Sequence, residues 1–149
     1  MKKFVKTALV FLAVGLLCGV FYREFSKGFG VTNQYLTLGL VHPHFLVLGV
    51  LFTLVIGLVA DKLSKCESKL FKGGFITYLA GVSGAGAMLL VRGTLEILEK
   101  STKSDFIITT GANGAISGIA GIFHAALGVG IVLIFIALLL KDKTEKSLD

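Results

Sequence analysis

Three histidines, His42, His44 and His124, are the only imidazoles in the chain, and all three stand in its apolar stretches. Imidazole is a neutral donor near physiological pH and suits iron, copper and zinc alike. His42 and His44 flank the single proline, Pro43, in GLVHPHFLVLGVLFTLVIGL, residues 39–58, and His124 stands in GIFHAALG, residues 121–128. Met88 adds a thioether and Arg92 a guanidinium. From Asp61 back to His44 is 17 residues, from Lys141 back to His124 is also 17, and from Lys72 forward to Met88 is 16. On helices rising 1.5 Å per residue those counts all give a depth of about 24–25 Å, with Arg92 about 6 Å beyond Met88. Every potential ligand therefore falls in one layer.

Histidines presented by two helices at one depth are what a bis-His haem b requires, and a copper or zinc ion is the alternative on the same donors. His42 shares a helix side with Gly39, Leu46, Gly49 and Thr53, while His44 lies about 200° around the helix. An undistorted helix aims only one of them at His124, and the small-residue side makes His42 the first choice. Beside His124, Gly114, Gly118, Gly121, Ala125 and Gly128 form a stripe that admits another backbone or a flat ligand. The expected cofactor-binding set is thus His42, His44, His124, Met88, Arg92 and Gly121, with the three histidines as metal ligands. Arg92 is placed either to meet a haem propionate or to anchor its helix at the headgroups. The plain alternative is that each histidine bonds a carbonyl of a neighbouring helix and that Met88 fills space.

The elements that must carry this layer are apolar helices. The chain has 149 residues, 54% hydrophobic and 16% charged, where a soluble domain carries about 25% charge. Four continuous apolar runs, residues 5–22, 36–60, 73–92 with an extension to about 99, and 115–140, each meet the length of about 20 residues needed to cross a hydrocarbon core of about 30 Å. None shows the alternation of a barrel strand. The expected fold is a single all-α membrane domain, an up-down bundle of four transmembrane helices in which helices 2 and 4 are diagonal partners. The first run follows Lys2, Lys3 and Lys6 but has no small-x-small cleavage pattern, so it is read as a retained helix. Cys18 and Cys66 fall in a span and in a loop, poorly placed to pair.

Ten basic residues, Lys2, Lys3, Lys6, Lys62, Lys65, Lys69, Lys72, Lys141, Lys143 and Lys146, fall on one side of such a bundle. The other side holds Arg23, Lys27, Arg92, Lys100 and Lys103. This asymmetry predicts cytoplasmic N and C termini in a multi-pass protein of the bacterial cell membrane. The net charge of +6 is then mostly a topology signal, with anionic lipid as its partner. No basic and aromatic interleaving suggests nucleic acid. Catalysis is not indicated: no Asp or Glu lies inside a span, and no Ser, His and Asp set converges. A homo-oligomer through the glycine stripe or a membrane redox partner is compatible with the pattern.

The segment HPHFLVLG, residues 42–49, resembles the start of the histidine-bearing, haem-binding helices in subunit I of haem-copper oxidases. That resemblance implies haem ligation from helix 2. The oxidase's further histidines and its cross-linked tyrosine have no counterpart here, so oxygen reduction is not implied. The whole chain is similar to a family of small four-span uncharacterised membrane proteins of low-GC Gram-positive bacteria, which brings no activity with it. The functional expectation is haem b held between helices 2 and 4 near the outer face, for electron transfer, sensing or haem handling. A small transporter or channel subunit, or a structural protein with a zinc or copper site or no ligand, are the alternatives.

Overall fold

The computed structural model describes residues 1–32 and 36–140. Lys141, Lys143 and Lys146, on which the topology expectation partly rests, lie outside the described residues. Four long helices account for most of the described residues: α1 (Lys2–Gly28), α2 (Thr37–Lys62), α3 (Lys69–Lys100) and α4 (Thr110–Leu139), each long and apolar enough to cross a membrane. α1 runs on from Tyr22 to Gly28 because Arg23, Glu24 and Lys27 continue the helix with solvated side chains beyond the apolar run. α3 likewise carries its amphipathic extension to Lys100. α4 starts at a Thr109 cap whose hydroxyl accepts from the Ala112 N–H at 3.3 Å, satisfying one of the open amides of the first turn.

α1 lies antiparallel on α2 through a seam stepping by four and three. Phe4, Ala8, Phe11, Gly15 and Cys18 are buried. Large and small residues alternate across it: a Cβ at Gly57 or Gly49 of α2 would collide with Phe4 or Phe11, and the Gly15 backbone lies under Phe45 and Leu46. The pairing of α3 with α4 is closer still. A side chain at Gly81 would strike the Leu127 backbone, and one at Gly130 would strike the backbone of Tyr78. Where lipid solvates apolar side chains as well as protein does, such backbone approach supplies the contact area that holds helices together.

α3 stands between α2 and α4, and its other face meets α2 through Gly86 under Phe45 and Gly93 under the Leu38 backbone. α4 is seated along α3 and α1 along α2, and no packed seam joins α1 to α4 among the described residues. The reason lies in the glycines. α4 carries two small-residue faces, and the one that docks is the buried line Leu127, Gly130, Ile134 and Ala137. The stripe Gly114, Gly118, Gly121 and Gly128 is left outside, with no neighbour within 4 Å of an added Cβ among the described residues.

α2 is irregular. It opens as a 3₁₀ turn over Thr37–Leu40 and makes one α turn over Val41–His44. It then widens to a π-helix over Phe45–Phe52 and returns to α over Thr53–Lys62. Pro43 falls in the first α turn, where its missing N–H forfeits little. The amide of Thr37 is capped from outside the helix by the Glu96 carboxylate of α3 at 2.9 Å.

Candidate functional site

The short α turn of α2 presents its two histidines to opposite neighbours. His42 turns to α1: its Nδ1 donates to the Gly15 carbonyl at 2.9 Å, and its ring occupies the space that Gly19 leaves empty. A carbonyl only accepts, so the bond fixes the Nδ1–H tautomer. Sequence spacing alone pairs His42 with His124. The structure instead gives His42 to the α1 seam, because the small residues facing it are the ones α1 packs on.

His44 turns the other way, across α3 to α4. Its ring centroid lies 6.4 Å from that of His124, with the planes at 62°. The edge of Phe45 closes one side at 6.0 Å, and the Val82 backbone of α3 borders the ring. Its Nε2 is buried and makes no hydrogen bond of ordinary geometry among the described residues, although the Val82 backbone stands close enough to act on the ring as a hydrogen-bonding group. A buried polar nitrogen left unpaired is costly and calls for an explanation.

His124 projects from the outer side of α4 and is exposed. Its Nδ1 donates to the Ala120 carbonyl one turn back at 2.8 Å. The proton is thereby placed on Nδ1 and the lone pair on Nε2, the state in which imidazole binds a metal. Gly121 stands one turn away on the exposed stripe. A metal takes an imidazole nitrogen at about 2.0–2.1 Å, which puts two rings sharing one ion at a centroid separation from about 5 Å at a tetrahedral angle to about 6.5 Å in line. The observed pair falls within that range.

Met88 is half-buried on α3, about 9 Å along the helix from Val82. Arg92, one further turn on, bridges to α4 with its guanidinium donating to Ser117 Oγ at 2.8 Å. It lines a cavity of about 280 Å³ with Thr37, Glu96, Glu99, Lys100 and Asn113. The charges there are already engaged: Glu96 accepts from Lys100 at 2.6 Å and from Thr37, and Glu99 from the Ile108 amide at 3.2 Å. The cavity is a polar cap over the histidine layer.

One feature of α2 has no trace in residue spacing. The buried hydroxyl of Tyr78 on α3 donates to the Leu48 carbonyl within the π-helical segment and lies 3.5 Å from Thr53 Oγ. Only Pro43 and the run of residues 45–52 without a charge hint that the helix is irregular there.

The donors assembled are two imidazoles. Among the described residues no three His, Cys, Asp or Glu side chains converge. The family model for a protein of unknown function (DUF2871) matches residues 1–141. No curated protein and no solved structure matches the chain.

Proposed function

The chain belongs to the DUF2871 family, whose description assigns no activity, and we propose that it is an integral membrane protein binding haem b, which His44 and His124 would hold. One observation carries this: two imidazoles from different helices stand 6.4 Å apart, with Nε2 of His44 unpaired and Nε2 of His124 left as its acceptor nitrogen. Porphyrin supplies four of six ligands to iron, so two histidines complete the set. A structural zinc site needs four protein donors. α3 stands between α2 and α4, and a planar ligand against His124 would meet no neighbour within 4 Å of the glycines beside it among the described residues.

Bound there, haem b supplies a one-electron couple, which suits electron transfer, redox or gas sensing, or haem in transit. The chain's own residues do the rest. The Ala120 carbonyl orients His124 and strengthens it as a donor. Phe45 and Val82 keep water from His44. Arg92, at the head of the layer and now bonded to Ser117, would meet a propionate. We assign the N terminus and the Lys62–Lys72 connection to the cytoplasmic side of the bacterial cell membrane on the basic asymmetry, which puts the histidine layer in the outer half.

The test is the absorption spectrum of protein purified in mild detergent after expression with haem supplied, with elemental analysis for Fe, Cu and Zn. A Soret band of a six-coordinate low-spin haem that is lost in both His44→Ala and His124→Ala is expected. A featureless spectrum overturns the reading, and stoichiometric copper or zinc transfers the pair to that metal.

A further inference from the structure

We propose that Tyr78 is a positioning residue: its hydroxyl clamps the widened turn of α2 and thereby sets the rotation that points His44 at α4. Leu48 and Thr53, the two groups that hydroxyl touches, are five residues apart. Five residues is the span of one π-helical hydrogen-bonded turn. Tyr78 therefore grips α2 at the two ends of a single widened turn, the second of them at the point where α geometry resumes.

The grip is rigid. Tyr78 is fully buried, its ring lies 5.3 Å from that of Phe52 and 6.0 Å from that of Phe75, and its backbone is pressed by Gly130 of α4. The widened segment starts immediately after His44. Each residue accommodated or lost in a turn rotates everything beyond it by about 100°. Were Phe45–Phe52 to tighten to an α-helix while Thr53–Lys62 stayed docked, His44 would swing off the α4 side. Tyr78 also sits one turn from Val82, which borders the His44 ring. The hydroxyl that fixes the turn and the backbone that borders the imidazole thus belong to one stretch of α3.

The importance of His44 rests on the haem reading, whereas the clamp does not. The experiment accordingly measures geometry without haem. In a full-length chain carrying Cys18→Ser and Cys66→Ser, cysteines replace His44 and His124, and the rate of joining them with a short bis-thiol-reactive reagent is followed in detergent. Tyr78→Phe keeps the ring and removes the hydroxyl. It is expected to slow joining by about five- to tenfold, the scale set by one buried hydrogen bond. Thr53→Val, which leaves Tyr78 whole, is expected to slow it by a smaller factor and covers the case in which Tyr78→Phe fails to fold. Equal rates in parent and variants overturn the proposal. With native histidines and haem supplied, Tyr78→Phe is expected to convert part of the six-coordinate spectrum to five-coordinate, a change that mere loosening of the bundle does not produce selectively. An absent Soret band with the joining rates as expected removes the haem reading and leaves the clamp.

Discussion

His42 and His44 are two residues apart on α2 and face opposite neighbours: His42 bonds the Gly15 carbonyl of α1 at 2.9 Å, while the His44 ring lies 6.4 Å from that of His124 on α4. The proline between them thus separates a histidine bonded into the α1 seam from the one proposed as a ligand.

The two substitutions are expected to diverge. His42→Ala removes an interhelical hydrogen bond of a kind that contributes about 0.6 kcal/mol on average and up to about 1.7 kcal/mol in membrane helices. It lowers the thermal midpoint in detergent and leaves the haem spectrum unchanged. His44→Ala abolishes six-coordination and relieves a buried, unpaired nitrogen, so its midpoint without haem stays level or rises. Loss of the spectrum in His42→Ala alone would reverse the assignment.

The glycines of α4 are expected to divide into two groups. Gly130→Val drives a side chain into the Tyr78 backbone, and overpacking at such a seam costs about 1–3 kcal/mol or more; folded yield falls whether or not haem is supplied. Gly121→Val meets no neighbour within 4 Å among the described residues. It leaves stability without haem unchanged and reduces haem retention on gel filtration severalfold. Equal effects at both positions would show that the outer stripe is not a cradle.

Much of this fold was legible because the bilayer imposes it. Apolar runs of fixed length leave little choice of element, and the common depth of His44 and His124 followed from counting residues to the nearest charge. Which of His42 and His44 faces His124 was not legible. Gly128 and Gly130 are both small and lie about 200° apart on α4, so composition alone does not say which face docks on α3. The widened turn of α2 was also hidden, since it is a shift in backbone hydrogen bonding stabilised by Tyr78, a residue 30 positions from Leu48.

Arg92 is expected to act on retention and not on ligation. Its guanidinium reaches Ser117 across the α3 and α4 helices at the head of the histidine layer. Arg92→Ala therefore speeds haem loss to a scavenging apoprotein by about tenfold, the scale of one charge-assisted hydrogen bond, with the absorption maxima unmoved. Arg92→Lys restores part of the retention as a point charge without the planar fork. A shift of the maxima in Arg92→Ala would give Arg92 a place nearer the iron.

Cys66 tests orientation and protonation together. It lies in the connection between α2 and α3, half-buried, with Lys3 donating to its carbonyl at 3.5 Å. Burial pushes its thiol up from the ordinary cysteine value; Lys3 opposes the shift in part and Asp61 adds to it. Only the thiolate alkylates, so at neutral pH a maleimide reacts slowly. The rate then climbs by about tenfold per pH unit and keeps rising past the pH at which a free cysteine levels off. If the Lys62–Lys72 connection is cytoplasmic, a membrane-impermeant maleimide added to intact cells leaves Cys66 unmodified in a Cys18→Ser background and labels it once the membrane is opened. Labelling from outside in intact cells would invert the topology and move the histidine layer to the inner half of the membrane.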